Sequence, residues 1–110
     1  MTDKERLEHI YDAIQKIEVS LSGITKYEFL NNDDKKDASY GRLVMLSEAV
    51  ARLTAKFKEE HQQIEWHLIS GFRNIIVHEY FKVNWHLIWN IIEDDLPKLK
   101  LEIELLLNEL

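Results

Sequence analysis

Apolar positions return every three or four residues along almost the whole chain, the spacing that gathers them on one side of an α-helix. Leu7, Ile10, Tyr11, Ile14, Ile17 and Leu21 make the first such stripe, and Thr2 followed by Glu5 has the spacing of a capping box in front of it. Ser22-Gly23 interrupts the stripe, and KYEFL (26–30) reads as a short turn of helix. NNDDKKD (31–37) offers cap candidates for a second stripe of Tyr40, Leu43, Val44, Ala49, Val50 and Leu53. TAKFKEEHQQ (54–63) fits either an extension of that helix or a loop. A third helix is expected to begin near Ile64 and run through Phe72, Ile75, Ile76 and Phe81. Val83-Asn84 then caps a fourth that begins WHLIWNII, which Pro97 should bend or break, because proline lacks a backbone donor and clashes with the preceding turn.

The tail KLKLEIEL alternates like a strand, yet Leu96, Leu99, Ile103, Leu106 and Leu110 also fit a helix. Its leucine, lysine and glutamate favour helix, Ile103 is its one β-branched residue, and no partner strand is apparent elsewhere. With three glycines, one proline, no internal repeat and no low-complexity linker, the expected fold is all-α. It is a four-to-five-helix antiparallel bundle forming one domain over residues 1–110. A chain of 110 residues has a limited core, so pairing into a dimer is the expected way to bury more.

The formal charge of −6 narrows the functional classes. Broad neutralisation of phosphates needs an excess of lysine and arginine, so DNA is not an expected partner and any RNA contact must be local. The absence of cysteine removes disulfides and thiolate metal sites and suits the cytoplasm. MTDKERLEHI lacks the apolar stretch of a signal peptide, and no run approaches the roughly 18 apolar residues of a membrane span.

Candidate chemistry concentrates in RNIIVHEY, residues 73–80. On a helical wheel at about 100° per residue with Arg73 at zero, Phe72, Ile75 and Ile76 centre near ~260°, flanked by Leu68 and Ile69. Asn74, His78, His67 and Ser70 fall on the opposite side, while Arg73 and Tyr80, seven positions apart, lie on the border. Two readings are open at this level. Arg73 and Asn74 can be solvated, with His78 bonded to backbone and Tyr80 burying its ring, or the four can form a site.

The flanks bear on that choice. IEWHLISGFRNIIVHEYFKVNWHLIWNIIEDDLPKL, together with KYEFLNND and LVMLSEAVARL, resembles the HepT-like family of the HEPN superfamily across nearly the whole chain. That family carries an arginine, four residues, a histidine, one residue and a tyrosine, matched here by Arg73, His78 and Tyr80. Two departures are visible: Ser47 stands where glycine usually precedes the glutamate, and Glu65 where proline commonly precedes the tryptophan. The resemblance implies a ribonuclease toxin that works without an obligatory metal or cofactor, as a homodimer with an RNA substrate, silenced by a small nucleotidyltransferase antitoxin. It implies catalysis by Arg73, Asn74 and His78, with Tyr80 the hydroxyl that accepts AMP.

Other residues point less sharply. His9, His61, His67 and His86 have no HExxH or comparable ligand spacing, so no metal site is expected. Trp66, Trp85 and Trp89 could stack bases but at helical spacing read as core or interface. The acidic groups at 33–34 and 93–95 read as helix caps, and Glu48 as a bonded or solvent-facing residue among apolar neighbours. A reading from a different class is a non-catalytic subunit that binds substrate or nucleotide for a nucleotidyltransferase, which the acidic surface favours. A purely structural dimerisation bundle would leave the Arg73, Asn74 and His78 stripe unexplained.

Overall fold

The structure, a computed structural model, describes residues 1–76 and 82–110, and the side chains of residues 73, 75 and 76 also lie outside what it describes. Helix α1 spans Asp3–Ser20 and opens with the expected capping box: Thr2 Oγ1 accepts from the Glu5 N–H at 3.1 Å, and the Glu5 carboxylate accepts from the Thr2 N–H at 3.4 Å. These bonds from Thr2 hold the Glu5 carboxyl below its ordinary range. Gly23, at φ 74°, turns the chain in a conformation that favours glycine. A second capping box, Thr25 with Glu28, starts the short α2, Lys26–Leu30. The Asn32 side chain then accepts from the Lys35 N–H at 3.0 Å and opens α3, Asp33–Ala51.

Residues 54–63 neither extend α3 nor form a loop throughout. They carry a separate helix, α4, Ala55–Glu60, capped by Thr54. Asp3 makes this break favourable, because its carboxylate accepts from the Thr54 N–H at 2.9 Å and the Thr54 hydroxyl at 2.7 Å. Helix α5, Trp66–Ile76, begins two residues later than expected, and its expected continuation through Phe81 falls outside the described residues. Asn84 caps α6, Trp85–Asn90, its side chain accepting from the Leu87 N–H at 3.1 Å.

Pro97, expected to bend or break the last helix, leaves it unbroken. The chain stays helical from Trp85 through a π-helical turn, Ile91–Asp95, into α7, Leu96–Glu109. The Leu96 N–H bonds back five residues to the Ile91 carbonyl, so the helix widens one turn ahead of the proline. Pro97 then sits in the first turn of α7, where a missing donor is tolerated. KLKLEIEL is helical, as its composition indicates.

The side-chain ties set the helix directions. Arg42 reaches the Lys16 carbonyl at 3.3 Å and Lys35 the Ser20 carbonyl at 2.8 Å, so α1 and α3 run antiparallel. Tyr11 donates to Glu104 at 2.7 Å and Lys100 pairs with Glu18 at 2.9 Å, so α1 and α7 are antiparallel too. Between them lies the core: Leu7, Ile10, Ile14 and Ile17 of α1, Leu43, Leu46 and Val50 of α3, Ile69 and Phe72 of α5, and Leu96, Leu99, Ile103 and Leu106 of α7. Leu46 is fully inside although the expected α3 stripe omits it, and Leu68, placed on the core flank by the wheel, is 46% exposed. The result is an all-α bundle of seven α-helical segments among the described residues, none long and apolar enough to cross a membrane.

Candidate active site

Helix α5 carries the first half of the candidate motif, and its start is fixed by Trp66. The indole is buried, its Nε1 donates to the His61 carbonyl at 3.0 Å, and its ring meets Phe57 of α4 at 6.1 Å between centroids. The Glu65 carbonyl accepts from the Leu68 N–H at 3.1 Å and the Ile69 N–H at 3.3 Å, so the helix starts soundly with glutamate at position 65. Ser47 is accommodated as well: it is fully buried on α3, and its hydroxyl donates to the Leu43 carbonyl at 2.7 Å.

From that start, Ile69 and Phe72 point into the core while His67 and Asn74 are exposed and Ser70 is half-buried. Asn74 therefore lies on the outward side of α5, as the wheel expects, with its amide available to a ligand. Arg73 belongs to the same helix, one position earlier. His78 and Tyr80 lie outside the described residues, so their expected meeting with Arg73 and Asn74 does too.

The chain downstream of the motif is anchored as firmly as the chain before it. Phe29 of α2, wholly buried, packs against Trp89 at 5.2 Å and edge-on against Trp85 at 6.4 Å, and Tyr40 of α3 meets Trp85 at 6.2 Å. The Lys36 ammonium sits 5.2 Å from the Trp85 ring centre, a cation–π distance. The tryptophans thus work as packing residues, one aromatic clamp at Trp66 before the motif in sequence and another at Trp85 and Trp89 after it.

Charge near α5 is distributed unevenly. A small cleft between α5 and α7 is lined by Glu65, Asp95, Lys98 and Glu102 over Ile69, Phe72 and Leu99. Sequence reasoning missed it, because its acids are far apart along the chain. Partial burial, reinforced by Asp94 and Glu65, raises the Asp95 carboxyl above its ordinary range. Burial also raises Glu102, Glu65 adding to the effect and Lys98 opposing it. A carboxyl whose pKa is raised on folding binds more protons in the native state, so it favours folding as pH falls and disfavours it as pH rises through that pKa. The Asp95→Asn/Glu102→Gln variant is therefore expected to be more stable than wild type at pH 7, with the difference shrinking toward pH 4. Urea denaturation at both pH values checks this. Among the described residues no group of three or more His, Cys, Asp or Glu is placed to hold a metal ion.

Comparison with known proteins places this framework. Residues 10–106 match the family described as "Ribonuclease HepT-like". The chain is 31% identical over 108 residues to "Putative RNase TTE0752" of Caldanaerobacter subterraneus subsp. tengcongensis, covering 98% of this chain and 96% of that one. It is 31% identical over 101 residues to "Probable ribonuclease HepT" of Thermococcus cleftensis, covering 92% of each. It is 33% identical over 104 residues to "Gamma-glutamylcyclotransferase and putative RNase MJ0434" of Methanocaldococcus jannaschii, covering 94% of this chain but 47% of that longer protein. No solved structure matches. With the match running through both aromatic clamps and the motif between them, the chain belongs to the ribonuclease HepT-like family.

Proposed function

We propose that this protein is a cytoplasmic endoribonuclease toxin that cleaves RNA without an obligatory metal, acting as a homodimer whose two motif helices share one cleft. The observation that carries the reading is the family membership, which spans the whole of RNIIVHEY. The names of its relatives support it, and so does the outward position of Asn74 on α5.

The chemistry suits the residue types. Cleavage through the 2′-hydroxyl needs a base to take its proton, an acid to protonate the leaving oxygen, and positive charge on a phosphorane that gains negative charge. Histidine is the residue type whose ordinary pKa lies near neutrality, which suits His78 to the role of base or acid, the two copies in a dimer dividing the roles. Arg73 clamps the phosphate through its planar fork of donors, and Asn74 orients the substrate or the histidine. Purified, unmodified protein is expected to cut tRNA or total RNA in the presence of EDTA. An intact dimer that cuts neither would favour a non-catalytic, acidic binding subunit of a nucleotidyltransferase complex.

The regulatory part of the proposal concerns Tyr80. Transfer of AMP to its hydroxyl by a small nucleotidyltransferase antitoxin places bulk and negative charge beside the cleft, repelling RNA phosphate and engaging Arg73. Incubation with that transferase and ATP is expected to add AMP units to the intact mass of wild type and none to Tyr80→Phe. The same mass increase in Tyr80→Phe protein would place the acceptor elsewhere.

A further inference from the structure

The face formed by α1 and α3 has a character unlike the rest of this acidic chain. His9, Ala13 and Lys16 recur along α1, and Arg42, Met45 and Ala49 along α3, each row at helical spacing, and the two rows wall a groove of about 390 Å³. A second hollow continues it past Lys16 and Arg42 to Val19 and Lys35. From His9 to Val19 the α1 wall rises about 15 Å, at about 1.5 Å per residue, the length of roughly three helical turns.

Two properties of this groove point to an occupant. Its walls expose large apolar side chains, Met45 at 67% and Val19 at 78%, above a floor that includes Ala13, small enough to let another backbone approach closely. Its cations, Lys16, Arg42 and Lys35, outnumber its acid, Asp12, in a protein whose net charge is −6. Asp12 meets Lys16 at 3.0 Å, whereas among the described residues Arg42 bonds the Lys16 carbonyl and Lys35 the Ser20 carbonyl and hydroxyl, all neutral oxygens. Apolar anchors in a straight channel suit the apolar stripe of a helix, exposed methionine adapts to such stripes, and the cationic rim complements acidic residues flanking one. A nucleic-acid strand would use the charges but leave Met45, Val19 and Ala13 without a role.

We propose that the groove between α1 and α3 is a docking site for an acidic amphipathic helix of a partner protein. The inference is independent of the ribonuclease reading, since none of its residues belongs to the motif.

The test is a titration of isotope-labelled, full-length protein followed by amide NMR, using a synthetic helix-forming peptide of about four turns with leucines at three- and four-residue spacing and glutamates between them. Shifts are expected at His9, Ala13, Lys16, Arg42, Met45 and Ala49, and they weaken when glutamine replaces the peptide's glutamates. The Lys16→Glu/Arg42→Glu variant, with an unchanged melting temperature, is expected to bind the glutamate peptide about tenfold more weakly or worse and to gain affinity for a lysine version. Arg42→Gln should fall between it and wild type. Absence of shifts in the groove, equal shifts from the glutamine peptide, or the same shifts produced only by oligouridylate would each overturn the proposal. Concentration-dependent shifts of Val19 and Met45 in the free protein would overturn it in favour of a second copy of this chain.

Discussion

Arg73→Ala is expected to lower RNA cleavage by about a hundredfold or more, the usual loss when a positioned donor to developing negative charge is removed. The chain carries a net charge of −6, so it has no broad positive field to compensate for one missing guanidinium. Arg73→Lys keeps the charge but loses the planar fork, and it should recover only part of the activity. Binding and chemistry separate in single-turnover kinetics. A loss in the cleavage step with near-normal RNA affinity is the expected pattern, whereas a loss that vanishes at saturating RNA would make Arg73 a binding residue alone.

Phe29→Ala is expected to cost about 3–5 kcal/mol of folding stability, the range for emptying a buried aromatic site. Phe29 is wholly buried, and it is the buried anchor of the five-residue α2, a helix too short to hold itself together without tertiary packing. Its ring also supports Trp85 and Trp89, the downstream clamp of the motif. The substitution should therefore lower the urea midpoint strongly and impair any activity that depends on the placement of residues 73–80. A midpoint within error of wild type would show that the aromatic cluster contributes little to stability.

Much of this architecture is legible in residue spacing, and the places where spacing misleads have identifiable causes. The α1 stripe and the Thr2 and Glu5 cap appear as expected because local geometry alone decides them. TAKFKEEHQQ is ambiguous in sequence because its break from α3 depends on Asp3, about fifty positions away, capping Thr54. Pro97 does not break the helical course of the chain because it falls in the first turn of α7, behind a π-helical turn, and nothing in the local pattern announces that turn. Leu68 misleads because an apolar residue at the edge of a stripe can face either way, and here the neighbouring cleft leaves it exposed. For the candidate site, the helical frame of Arg73 and the outward side of Asn74 follow from periodicity. The α5–α7 acids and the α1–α3 groove do not, because each assembles residues from helices distant in sequence.

The most direct test of the central claim, that RNIIVHEY is an active site, is cleavage of tRNA and total RNA in EDTA by wild type and His78→Ala. The two proteins would be matched for circular dichroism, oligomeric state and absence of AMP on Tyr80. The predicted result is efficient cutting by wild type and a fall of about 10²–10⁴ in the variant, the range expected when a general acid–base group is lost. Undiminished cutting by His78→Ala would contradict the account.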